Sequence, residues 1–134
     1  MSEIVIVSAK RTPIGAFNGA LSSLSAAQLG SLAVKAALDQ ARLEPGQVDE
    51  LVLGHVLAAV AGMGPARQAA LGAGLSRDKT AYAVNQICGS GLRAVANGMM
   101  AIASGQQDIV VAGGMESMSQ SPHCLHLRNG TKMG

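Results

Sequence analysis

Aromatic side chains are nearly missing from this sequence: it has no tryptophan, and Phe17 and Tyr82 are its only members of the class among 134 residues. Without them no base-stacking platform can be assembled. A net charge of only +2 offers no phosphate-tracking face either, so nucleic acid is not expected as a partner. Cysteine is scarce as well. Cys88 and Cys124 could close one bridge, but two cysteines in a chain without a secretory signal are expected as reduced thiols. The charge order argues against such a signal, because Glu3 precedes the apolar run Ile4 to Val7 and Lys10-Arg11 follow it. No apolar stretch reaches bilayer-spanning length without Gly, Pro or polar interruption. The expectation is a soluble, cytoplasmic protein with no membrane partner.

What the sequence has is apolar content, 49% of its residues, enough for one domain with a real core. Short unalternated apolar runs recur at Ile4 to Val7, Leu51 to Leu53, Tyr82 to Val84 and Ile109 to Val111. Each suits a strand buried on both faces in a parallel sheet. Helical segments lie between them. The first starts at Ser25-Ala26-Ala27-Gln28, a capping box, and should run to about Arg42. Its two apolar rows, Leu29-Leu32-Ala36 and Val34-Leu38-Ala41, suit a helix packed between layers. The second opens at Pro65 and stops by Gly74. The third runs from about Ser90 to Ser104 with Leu92, Val95, Met99 and Ile102 on one face. The order β-α-β-α-β-α-β predicts an α/β fold with right-handed parallel crossovers. After Gly113-Gly114 periodicity fails, and the polar stretch to Gly134 reads as a loop.

The chemistry concentrates in Val84 to Ala94, VNQICGSGLRA. Gly89-Ser90-Gly91-Leu92-Arg93-Ala94 matches a dinucleotide-binding glycine pattern, which also needs an acidic residue near the carboxyl end of the next strand. Asp108 precedes that strand and so falls at the wrong end. A nucleophile fits better. A strand ending near Val84 and a helix beginning after Cys88 place the sulfur at the carboxyl end of a parallel sheet, beside the positive end of a helix dipole. A thiol so placed is a competent acyl acceptor, and the Cys88 N–H could help hold an oxyanion. The alternative for a lone intracellular cysteine is a buried, inert thiol.

VNQICGSGLRAV from Val84 to Val95, VVAGGMESMSQSPH from Val110 to His123, and IVIVSAKRTPIGAFNG from Ile4 to Gly19 together resemble the amino-terminal part of thiolases, of the acetyl-CoA acetyltransferase kind. The resemblance implies a layered thiolase fold. Residues 1–118 would form the amino-terminal half-domain, and 119–134 the start of a loop domain. It implies that Cys88 carries the acyl group as a thioester, its backbone N–H contributing to the oxyanion hole. Coenzyme A thioesters would be substrates, with no metal and no redox cofactor. The histidine and second cysteine of the family, in Gly-His-Pro and Cys-x-Gly-Gly-Gly segments, are absent from this sequence. A complementary carboxyl-terminal half is therefore an expected partner, and the chain alone is expected to be inactive. A homo-oligomer, dimer or tetramer, is implied as well, with Ser121 to Gly134 matching a loop through which some family members form tetramers.

Other candidates carry less. His123, Cys124 and His126 make an H-C-x-H cluster, short of the four ligands of a structural metal site. His55 is expected to make a structural hydrogen bond. Glu116 could be a general base, but after a Gly-Gly turn it is expected to anchor that turn through backbone N–H groups. Arg67 and Arg93 are ambiguous, the family pointing to subunit contacts near Arg67. Met63-Gly64 stands where many family members have Gln-Asn. A decarboxylating ketoacyl synthase and an inactive assembly module are the alternative functions.

Overall fold

The computed structural model describes residues 3–126. Three helices and three strands alternate: α1 at Ala26–Ala41, β1 at Glu50–Gly54, α2 at Pro65–Gly72, β2 at Thr80–Val84, α3 at Ser90–Ala103 and β3 at Val110–Gly114. Single turns of 3₁₀ helix occupy Pro45–Gln47 and Met118–Gln120. The strands form one parallel sheet in the order β2-β1-β3, in which Gly54 lies level with Val84 and with Gly114. All three carboxyl ends therefore share one edge of the sheet.

Local signals act as their chemistry dictates. Ser25 Oγ accepts the Gln28 N–H at 3.2 Å and Gln28 Oε1 accepts the Ser25 N–H at 2.9 Å, closing the capping box. Arg42 ends α1 in the left-handed conformation. Pro65 begins α2. Central β1 is buried throughout, and Val48, Leu51, Leu53, Leu38, Ala69 and Ala70 around it form the core.

Three expectations are corrected. Ile4 to Val7 form no strand, so the fourth strand of the predicted order is not realised. An apolar cleft of about 330 Å³ lies between this run and β3. A strand needs a hydrogen-bonded neighbour, and here none is within reach. Ile6 and Val7 are consequently exposed. β2 and β3 are not buried on both faces but partly exposed, being the two edge strands of the sheet. The large apolar face of α3 is not its packed face. Ser90, Ala94 and Gly98 are buried against the sheet, while Leu92, Val95 and Met99 are exposed. Small residues win because they let the helix approach: a Cβ on Gly98 would come within 2.9 Å of Val110. On α1, the Val34-Leu38 row is buried and Leu32 of the other row is exposed.

Candidate active site

The Cys88 turn is built from the backbone outward. β2 ends at Val84, α3 starts at Ser90, and five residues join them. Ser90 is buried, and its hydroxyl accepts the Gln86 N–H at 2.8 Å while donating to the Ile87 carbonyl at 2.6 Å. Asn85 Oδ1 accepts the Ile87 N–H at 3.0 Å. Between these bonds Ile87 sits at φ 51°, in the left-handed region that β-branched residues avoid. Such a conformation costs about 1–3 kcal/mol and persists only where the surroundings over-determine it. Cys88 follows, exposed, immediately before the amino terminus of the 14-residue helix α3.

Glycines seat this helix start on the sheet. A Cβ on Gly54 would lie 2.5 Å from the Gly91 nitrogen, and one on Gly114 would lie 3.4 Å from the Gly91 Cα. The first turn of α3 thus rests on the ends of β1 and β3, and at Gly54 the approach is close enough that only glycine fits.

His55 and Glu116 meet at the same edge. His55 Nε2 is 3.2 Å from Glu116 Oε1, and the His55 side chain is 1% exposed. This is the structural bond expected of His55. Its Nδ1 is buried with no partner among the described residues. Glu116 does anchor backbone, but not its own Gly-Gly turn. Its Oε2 accepts the Val56 N–H at 3.0 Å and its Oε1 the Leu57 N–H at 3.3 Å. The register of β1 and β3 decides this, placing the segment after Gly54 beside the one after Gly114.

A cavity of about 300 Å³ is lined by Glu116 together with Ile14, Phe17 and Met118. Neither this cavity nor the cleft beside β3 is lined by Cys88. Arg67 donates from its guanidinium to the Arg77 and Lys79 carbonyls, fastening α2 to the loop before β2. Among the described residues no group of three or more His, Cys, Asp or Glu gathers as a metal site. His123, Cys124 and His126 lie exposed in a segment outside helix and strand. Of the loop expected at Ser121 to Gly134, residues 127–134 lie outside the described residues. Among the described residues no helix is long and apolar enough to cross a membrane.

An α/β sheet with a cysteine turn at its carboxyl edge defines a class, and the family comparison agrees. Residues 4–134 match the model of the thiolase amino-terminal domain, and the chain belongs to the thiolase family. Its relatives include the acetyl-CoA acetyltransferase of Rhizobium meliloti, 60% identical over 98% of this chain and 33% of that protein. The cytosolic acetyl-CoA acetyltransferase of Rattus norvegicus is 50% identical, again over 98% of this chain and 33% of its own length. Among solved structures, a thiolase from Ascaris suum in complex with coenzyme A superposes with a TM-score of 0.89 at 36% identity. That match covers 90% of this chain and 32% of the other. The chain spans about a third of the length of the relatives it matches.

Proposed function

We propose that this chain supplies the nucleophile of an acetyl-CoA acetyltransferase that forms or cleaves acetoacetyl-CoA through acyl-Cys88. The observation that carries the reading is the exposed Cys88 on a strained, hydrogen-bonded turn at the head of α3. The Cys88 thiolate adds to the thioester carbonyl of acetyl-CoA. The bond to the coenzyme A sulfur then breaks, and coenzyme A leaves as a thiolate that takes up a proton. A second acetyl-CoA, having lost an α-proton, attacks acetyl-Cys88 through that carbon and regenerates the thiolate. Neither stage calls for a metal or redox cofactor.

This chain spans about a third of the length of its relatives, which supports a complementary carboxyl-terminal half as the partner that would supply groups for the proton transfers. Residues 1–118 would be the half-domain and 119–134 the start of the loop domain. Exposed Ile6, Val7, Leu92 and Met99 support the same reading. Apolar surface of this extent favours coverage, at about 25 cal/mol per Å². The partner half and a second subunit, in a dimer or tetramer, would supply it. The relatives called cytosolic support a cytoplasmic location.

Mass spectrometry of the Cys88 peptide after incubation with acetyl-CoA tests the reading. The chain paired with a carboxyl-terminal thiolase segment should acquire one acetyl group on Cys88, lost in Cys88→Ser. The chain alone should turn over at least about 10²–10⁴-fold more slowly, the worth of one missing acid–base group. A paired assembly that never acetylates Cys88 would leave the chain an assembly module.

A further inference from the structure

Asn85 is exposed, yet it commits both ends of its carboxamide to backbone. Oδ1 accepts the Ile87 N–H two residues on, an Asx turn. Nδ2 donates to the Val56 carbonyl at 3.4 Å. Val56 is itself held through its N–H by Glu116, whose other oxygen takes His55. Ile87 is 65% exposed, so packing does not enforce its left-handed conformation. Hydrogen bonds do, with Asn85 on its N–H and Ser90 on its carbonyl. A strained residue next to a nucleophile restricts the direction in which the nucleophile points, because the backbone is pinned on both sides of Cys88, at Ile87 by these bonds and at Gly89 by its N–H on the Gln86 carbonyl at 3.1 Å.

We propose that Asn85 is a positioning residue for Cys88, holding Ile87 left-handed and tying the turn through Val56 to the Glu116–His55 pair. It touches no reacting atom and acts through the backbone of Ile87. The inference rests on the nucleophilic reading of Cys88. It adds that Cys88 is aimed from β1 and β3, the strands flanking its helix start, as well as from its own turn.

Asn85→Ala and Asn85→Ser, made in the chain paired with a carboxyl-terminal thiolase segment, test it. In Asn85→Ala the Ile87 amide should exchange about five- to tenfold faster, the worth of one hydrogen bond. Acyl transfer should lose about 10²-fold in kcat, as for a reacting group misplaced by roughly 1 Å, with KM within about twofold. Asn85→Ser keeps a weaker acceptor for the Ile87 N–H and should recover most of the rate. Unchanged exchange at Ile87, or wild-type kcat, overturns the proposal. So does a loss that Ser does not rescue and that raises exchange equally along α3. Should the alanine variant not fold, Asn85→Asp decides, since it keeps the acceptor and loses the donor: kcat should fall about tenfold, and a wild-type value overturns the tie to Val56. If the unmutated assembly fails to acetylate Cys88, the enzymatic reading fails by itself, and exchange at Ile87 still decides whether Asn85 holds the turn.

Discussion

Two carboxylates fasten the same pair of strands, one at each end. At the amino end Asp49, just before β1, accepts the Asp108 and Ile109 N–H groups through Oδ2 at 3.0 and 2.9 Å. At the carboxyl end Glu116, just after β3, accepts the Val56 and Leu57 N–H groups. The device is identical, but its surroundings differ. Asp49 has the partly exposed Lys79 at 3.5 Å, whereas Glu116 has buried His55 and, through Val56, the Cys88 turn. A carboxylate at the amino end stabilises strands. The one at the carboxyl end also shapes a site.

Glycine substitution should divide the two ends most sharply. Gly54→Ala would push a methyl to within 2.5–2.7 Å of Ser90 and Gly91, mostly against backbone that cannot swing aside. We expect a loss of more than about 3 kcal/mol, together with displacement of Cys88. Gly46, in the 3₁₀ turn before β1, meets nothing within 4 Å. Gly46→Ala should stay within about 0.5 kcal/mol. Urea unfolding of both variants measures the contrast, and equal effects would break it.

Removing each carboxylate's side-chain partner comes next. His55→Ala empties a buried position and strips Glu116 of its neighbour, for an expected cost of about 2–4 kcal/mol. His55→Gln, which can still donate to Glu116, should recover about half of that. Lys79→Ala breaks a pair whose members are 25% and 29% exposed, and should cost less than about 1 kcal/mol. Thermal melts in the same buffer would show whether the carboxyl end is as dominant as its burial implies.

The parts of this molecule that were legible in its sequence are those settled within a few residues. The Ser25 capping box, the Pro65 start and the strand-to-helix turn at Cys88 depend on neighbours four or fewer positions away. Glu116 was readable as an anchor but not in its choice of partner. Val56 and Leu57 lie 60 and 59 residues earlier and are delivered by strand register. Ile4 to Val7 carry a strand's composition, but a ladder needs a second chain segment, and composition does not say whether one is adjacent. The α3 error has a different cause. Periodicity identifies the greasiest face, whereas close approach to a sheet selects the smallest, here Ser90, Ala94 and Gly98. Asn85 carried the local signal of an Asx turn to Ile87, but not its second bond, to the Val56 carbonyl 29 residues earlier, which only the sheet brings within reach.

The smallest effect is on acid stability, and it belongs to the amino end. The Ile109 and Asp108 N–H groups, aided by Lys79, hold the Asp49 carboxyl below the ordinary aspartate value of 3.8, against the opposing pull of partial burial. A carboxyl with a depressed folded-state pKa stabilises the fold at pH above its unfolded value. That contribution is lost as pH falls through the folded value, because the unfolded chain then binds the proton first. Asp49 is partly exposed and solvent screens it, so the contribution should be no more than about 1 kcal/mol. Asp49→Asn should therefore lower stability at neutral pH by about that amount and have a vanishing effect well below pH 3.8. Stability measured by urea at neutral pH and again in acid would reveal it, and an Asp49→Asn deficit that persists undiminished in acid would remove charge from the account. Cys88 chemistry should be untouched in this variant, since Asp49 lies at the opposite end of β1 from the turn that carries the thiol.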